Sequence, residues 1–378
     1  MDFELSEDQR LLSDSISRLL GDTYGFAARR GYQQEGQGWS AAAWKQYADL
    51  GLLGLPIEER YGGFGGNAVD VMLVMEAFGK VLALEPYLAT VVLGATALRL
   101  AGTEAQKAQL FPRIADGSLK LAFAHGETQA RYDLSDVITK ARRDGPGWIL
   151  DGAKSVVLHG DCADRLVVSA RTAGHRHDVK GITLFLVDAT ATGVARRGYA
   201  LRDGTRAAEL SFTNVRLSAA EIIGTPDDGL GVIERVTQAG IAAMAAEVVG
   251  EMEAMYAMTL DYMKTRQQFG RPIGQNQVMQ HKAADMLVAM EQGRSMAMLA
   301  AMMVDEPDGL ERARNIAMAK IGVGQSARHV SQSAIQMHGG IGMTEEYAVG
   351  HYFRRVMTFE HLWGDTAYHL AALAEQVA

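Results

Sequence analysis

The sequence predicts an α+β chain in which an N-terminal helical domain, a central antiparallel β domain and a C-terminal helical bundle follow one another. Three observations carry that reading. Apolar residues recur at helical spacing up to about residue 117, short β-branched runs replace them from about 118 to 227, and long, proline-poor helical stretches fill the remainder. The boundaries this sets are 1–117, 118–227 and 228–378. With 378 residues, 48% hydrophobic and 22% charged, the chain is long enough for two or three such units, each with its own core.

In the first part, "SEDQRLLSDSISRLLGD" repeats its apolar residues with helical period, and Ser6 followed by Glu7 and Asp8 supplies a cap. "WKQYADLGLLGLP" and "VDVMLVMEAFGKVLALEPYLATVVLGATALRLAG" continue the pattern. Between them "ERYGGFGGNA" reads as a glycine-rich turn, because no strand precedes it and it fits neither a dinucleotide nor a phosphate-loop signature. The second part breaks into "LAFAHGE", "GWILDGAKSVVLHG", "RLVVSART", "GITLFLVDA" and "AAELSFTNVRL", separated by Gly and Asp at strand-length intervals. A barrel or sandwich follows from such spacing. In the third part "GVIERVTQAGIAAMAAEVVGEMEAMYAMTLDYMKTR" runs without proline until "FGRPIG" breaks it, and two further long helices follow. Their dense methionines suit core or subunit packing.

A formal charge of −8 and an isoelectric point near 5.7 argue against a nucleic-acid surface. The single cysteine, Cys162, fits a reducing compartment and a buried structural role. The acidic start "MDFELSEDQR" has no apolar signal segment, and no apolar run reaches the roughly 20 residues of a membrane span, so a cytoplasmic protein is expected. Ten histidines without a zinc spacing imply no metal site, and no "GxSxG" elbow supports hydrolysis.

Two segments carry chemistry. In "RQQFGRPIGQNQVMQHKAADM", an arginine stands beside amide side chains near a helix start, which suits a phosphate or pyrophosphate. In "QMHGGIGMTEEY", glycines after a helix let backbone approach a flat or charged ligand. Together with "ERYGGFGG" and the helical, β, helical order, these resemble the acyl-CoA dehydrogenase family, and "EPYLATVV" and "HGGIGMTEEYAVGHYF" resemble the small subunits of its pimeloyl-CoA branch. The resemblance implies FAD as cofactor, held between the β domain and the C-terminal helices and reaching a neighbouring subunit. It assigns Arg266, Phe269, Gln277, Gln336, Gly339 and Gly340 to the flavin nucleotide. It further implies oxidation of an acyl-CoA substrate to a trans-2-enoyl-CoA, an electron-transferring flavoprotein as acceptor, and a homo-oligomer or a heterotetramer with a large subunit.

The chain departs from the family at the base. Where many members carry "YEG" this chain has Leu362-Trp363-Gly364, and where another branch carries "ER" it has Gly240-Ile241. The flavin contacts of the β domain drift as well, at Gly126–Asp133 and Val156–Gly160. Glu247 lies seven residues after Gly240, which returns it to within about 20° of the same helical face, roughly 10 Å further along. Set among small apolar residues in "AAMAAEVVG", it is expected to be the catalytic base, poised by desolvation. Pairing with a lysine or arginine at a subunit contact is the alternative. Glu251 and Glu253 on the same helix, and Glu360 and Asp365 beside the vacant "YEG" position, are rivals for the role. Gly240, Ala243 and Trp363 are expected to line the substrate pocket. Two other activities fit the same residues: a non-catalytic subunit that completes the FAD site of a hetero-oligomer, and an oxygen-using acyl-CoA oxidase.

Overall fold

A computed structural model describes residues 5–376; residues 1–4, part of the acidic start, and 377–378 lie outside the described residues. The N-terminal helices are α1 (Glu7–Thr23), α2 (Phe26–Tyr32), α3 (Ala41–Asp49), α4 (Ala68–Val81), α5 (Ala95–Ala101) and α6 (Glu104–Ala115). Ser6 caps α1 as expected, in a reciprocal arrangement: its hydroxyl accepts from the Gln9 N–H, and the Gln9 side chain accepts from the Ser6 N–H. "ERYGGFGGNA" opens with a single 3-10 turn, Glu59–Tyr61, and continues as a loop. A Cβ on its Gly63 would come within 2.1 Å of the Ile57 carbonyl oxygen, so only glycine fits there. Before α5, Leu88–Gly94 forms a buried π-helical stretch.

The central strands are β1 (Leu121–Ala124), β2 (Lys140–Asp144), β3 (Gly147–Leu158), β4 (Arg165–Arg171), β5 (Ile182–Asp188), β6 (Val194–Ala200), β7 (Arg206–Leu217) and β8 (Ile222–Ile223). They form one sheet in the order β6-β7-β3-β2-β4-β5-β8. Pairing is antiparallel except that β1 runs parallel to β4 and β2 touches β4 through the single parallel pair Lys140–Arg171. The sheet curls on itself. Trp148 of β3 meets Phe185 of β5 edge to face at 5.7 Å, and residues from both ends of the sheet share one core. Two register shifts between β3 and β7 supply the bend.

The C-terminal part contains α7 (Leu230–Thr265), a short hairpin β9 (Gln267–Gln268) and β10 (Arg271–Pro272), then α8 (Gln277–Met303), α9 (Gly309–His338), α10 (Val349–His361) and α11 (Thr366–Glu375). Asp308 and Asp365 cap α9 and α11 through side-chain oxygens that accept first-turn N–H groups. The proline-poor run ends where "FGRPIG" predicts, and the glycine pair Gly339-Gly340 follows α9 directly.

The chain sorts into two compact units whose limits differ from the expected division into 1–117, 118–227 and 228–378. One comprises the described residues through Gly31, Ala68–Ala83 and the chain from Ile241 onward; the other comprises Tyr32–Asn67 and Leu84–Gly240. Within the first unit, α4 crosses α7 at backbone contact. A Cβ on Gly79 would fall 1.8 Å from the Glu247 carbonyl oxygen, and one on Gly250 would fall 1.9 Å from that of Glu76. This crossing explains the small residues of "AAMAAEVVG": larger side chains at the contact would drive the two helices apart.

Candidate functional site

The residues expected at the flavin nucleotide lie on the first unit and are all exposed. Arg266 follows α7, its N–H donating to the Tyr262 carbonyl at 2.8 Å. The hairpin that comes next turns through Phe269 and Gly270, both left-handed (φ 53° and 80°), as a two-residue primed turn requires. A phenylalanine in that conformation costs on the order of 1 kcal/mol, and its side chain is 99% exposed. Strain and exposed apolar area at one residue suit a ligand that covers the ring. Gln277 opens α8, where the Asn276 side chain accepts from Arg271 at 2.6 Å and makes no capping bond. First-turn N–H groups without a side-chain cap remain available to a phosphate. Gln336 is exposed near the end of α9, and a Cβ on Gly339 or Gly340 would meet no atom within 4 Å. An arginine, amides, open backbone and an aromatic face fit the nucleotide half of FAD.

The carboxylates tell a different story from the one expected. Glu247 is buried, but Arg355 of α10 donates to both its oxygens, Nε to Oε1 at 2.8 Å and Nη2 to Oε2 at 2.9 Å. Glu247 is expected to be the catalytic base, with pairing to a lysine or arginine as the alternative; in this structure it is paired with Arg355. A bidentate guanidinium occupies the carboxylate oxygens a base would use. Glu251, fully buried one turn later, has Oε1 4.0 Å from the same Arg355 Nε. Glu253 bonds Lys80 and Arg294, each at 3.1 Å. Glu360 accepts from Arg328 at 3.0 Å and from the Thr366 N–H and hydroxyl at 3.2 Å, and Asp365 caps α11. Each of the five is engaged inside the chain.

At Leu362-Trp363-Gly364 the backbone turns through Trp363 (φ 55°) and Gly364 (φ 104°), and the indole is half-buried. The turn is tied on two sides. Buried Lys320 of α9 donates to the Phe359 and Leu362 carbonyls at the end of α10, where its charge also meets the negative end of the helix. His369 Nε2 lies 3.0 Å from the Trp363 carbonyl. Burial draws the Lys320 ammonium down to about 7. Gly240 and Ala243 are buried in α7.

In the second unit, the segment at Gly126–Asp133 hangs on Glu127. Wholly buried Lys154 donates to Glu127 Oε1 at 2.7 Å, to Ser169 Oγ at 2.9 Å and to the His125 carbonyl at 3.1 Å. Burial alone would raise the Glu127 carboxyl; Lys154, the Ile138 N–H and Gln129 outweigh it and hold the group down at about 2. In the other drifted segment, Val156 and His159 both adopt left-handed backbone, and His159 Nε2 lies 2.9 Å from the Leu84 carbonyl. Burial pushes the Cys162 thiol up to about 12, which suits a structural role.

Sequence reasoning missed Arg355, Lys154 and Lys320. Arg355 had a visible signal, since it falls on the apolar stripe Val349, Tyr352, Val356, Phe359 of α10, where a charge needs a buried partner.

Family models for the acyl-CoA dehydrogenase N-terminal, middle and C-terminal domains match residues 6–118, 122–215 and 227–378. The chain is 29% identical over 382 residues to the probable acyl-CoA dehydrogenase YngJ of Bacillus subtilis (strain 168), spanning all of both. Among solved structures it is similar to butyryl-CoA dehydrogenase from Megasphaera elsdenii, with a TM-score of 0.91 and 26% identity over the whole of both chains. It is also similar to a variant of the Tcur3481-Tcur3483 steroid ACAD, with a TM-score of 0.88 and 27% identity over 98% of each chain. Among the described residues no helix is long and apolar enough to cross a membrane.

Proposed function

Because the chain belongs to the acyl-CoA dehydrogenase family, FAD-dependent oxidoreductases that act on acyl-CoA, we propose that it serves in the α,β-dehydrogenation of an acyl-CoA thioester to the trans-2-enoyl-CoA. The observation that supports this reading is that Arg266, Phe269, Gln277, Gln336, Gly339 and Gly340, read here as a platform for the nucleotide, are all exposed on one unit. Two C–H bonds break: the α-hydrogen leaves as a proton to a carboxylate, and the β-hydrogen leaves with its electron pair. FAD, when bound, would supply the acceptor for that pair. An electron-transferring flavoprotein then takes the electrons on. In this reading Arg266 holds a phosphate, Phe269 covers an aromatic face of the nucleotide, and the two glycines admit it close to the backbone. Trp363, with Gly240 and Ala243, shapes the pocket for the acyl group; the likeness to the pimeloyl branch suggests a medium-length or dicarboxylic chain, and the small residues Gly240, Ala243 and Gly250 are compatible with a bulky branched or sterol-derived one. The single cysteine supports a cytoplasmic setting.

The engagement of Glu247, Glu251, Glu253, Glu360 and Asp365 favours a more specific form of this reading: the base comes from a second type of subunit, and Glu247 holds α10 to α7. The similar Tcur3481-Tcur3483 protein bears two names, which supports a two-component assembly here as well. The FAD assignment is tested by dialysis and titration of the Arg266→Ala variant. Loss of a charge-assisted contact is expected to cost about 1.5–3 kcal/mol of FAD affinity; unchanged, stoichiometric FAD would overturn it.

A further inference from the structure

One buried imidazole joins the two segments that make up the nucleotide platform. His338 is the last residue of α9, is 3% exposed, and immediately precedes Gly339. Its ring stacks on Tyr262 of α7, with centroids 4.6 Å apart and planes 29° from parallel, and meets Tyr347 beyond the glycine turn at 5.0 Å. Its two nitrogens have different tasks. Nδ1 lies 2.8 Å from the Ala334 carbonyl, which can only accept, so Nδ1 carries the proton. Nε2 is left as an acceptor, 3.2 Å from the Tyr347 hydroxyl. Burial lowers the pKa of His338, in keeping with a neutral ring.

Each of these partners leads straight to a platform residue. The Tyr262 carbonyl receives the Arg266 N–H, which starts the hairpin bearing Phe269. On the other side the glycine turn folds back on the histidine: a Cβ on Gly342 would lie 3.2 Å from the His338 Cβ. Tyr347 closes the far end of that turn. A phenylalanine at 338 would keep the stack but lose both hydrogen bonds, and an amide would keep the bonds but lose the stack.

We propose that His338 is a positioning residue that, through Tyr262 and Tyr347, sets the hairpin bearing Arg266 and Phe269 against the turn bearing Gln336, Gly339 and Gly340, so that the two halves of the platform hold one fixed relation. The proposal rests on the FAD reading of those residues, and two measurements on the full-length chain, with any subunit it is isolated with, separate them. The first is hydrogen exchange without FAD in His338→Ala. Amide exchange is expected to quicken by about tenfold or more in 266–272 and in 339–343 together, with α4 unchanged. Quickening confined to 339–343, or none, overturns the proposal. If His338→Ala fails to fold, Tyr347→Phe removes only the hydroxyl, and the same two segments are expected to respond, more weakly; no response in 266–272 overturns it. The second is an FAD titration of Arg266→Ala in both backgrounds. A loss of roughly 10- to 100-fold in the parent should shrink to about threefold or less beside His338→Ala, because a displaced hairpin no longer presents the arginine. Equal losses in both backgrounds overturn the positioning role. No loss in the parent overturns the FAD reading, and the exchange data then decide the positioning role alone.

Discussion

Glu247 and Arg355 are 108 residues apart in sequence, and each looks misplaced when read alone: an acid among alanines, a base on an apolar stripe. Together they cancel. Removing one partner strands the other in a buried site, so Glu247→Gln is expected to destabilise the protein by about 3–5 kcal/mol, with Arg355→Met similar. Because Glu251 also faces Arg355, the triple variant Glu247→Leu, Glu251→Leu and Arg355→Met should recover most of that loss in thermal unfolding, whereas the double variant that keeps Glu251 should recover less. Singles as stable as the parent would mean the pair is not the anchor it resembles. Glu127 allows a pH test. Its folded pKa, about 2, lies below its ordinary value of 4.5, so its contribution to stability is complete above about pH 4.5 and is lost as pH falls toward 2. Melting temperature followed from pH 5 downward should fall less steeply in Glu127→Gln than in the parent; equal slopes would contradict the assignment.

Elements were more legible than residues. The cap at Ser6, the end of α7 before "FGRPIG", the start of α8 at Gln277 and the end of α9 at His338 all follow from local rules, because helix ends depend on residues a few positions apart. The crossing of α4 and α7 does not, since it depends on Gly79 meeting the Glu247 backbone and Gly250 meeting the Glu76 backbone, partners far apart in sequence. Nor does the role of Glu247, whose helical face was legible while the occupant of the space opposite was not. The crossing makes an opposite-sign test within one helix. Gly250→Ala should destabilise by about 1–3 kcal/mol or more, as the new methyl would overlap the Glu76 carbonyl. Gly231→Ala, where nothing lies within 4 Å, should stabilise by up to about 1 kcal/mol. Equal effects of the two in denaturant unfolding would contradict the close crossing.

At the scale of the whole molecule, the helical, β, helical order was readable from periodicity, whereas the sorting of residues 68–83 with the C-terminal helices was not, because a helical stripe does not name its partner. The exposed apolar residues of the first unit, Phe269 at 99%, Met343 at 76% and Val278 at 61%, favour an assembly of at least two chains. Chemistry at this scale turns on whether the chain brings its own base. The direct measurement is anaerobic mixing of the purified chain, loaded with FAD, with a medium-chain acyl-CoA while the visible flavin absorbance is followed. The expected result is a flavin that binds and responds to the thioester but stays oxidised until a second subunit supplies a carboxylate. Rapid bleaching by the chain alone, abolished in Glu247→Gln with FAD still bound, would contradict it and return the base to Glu247.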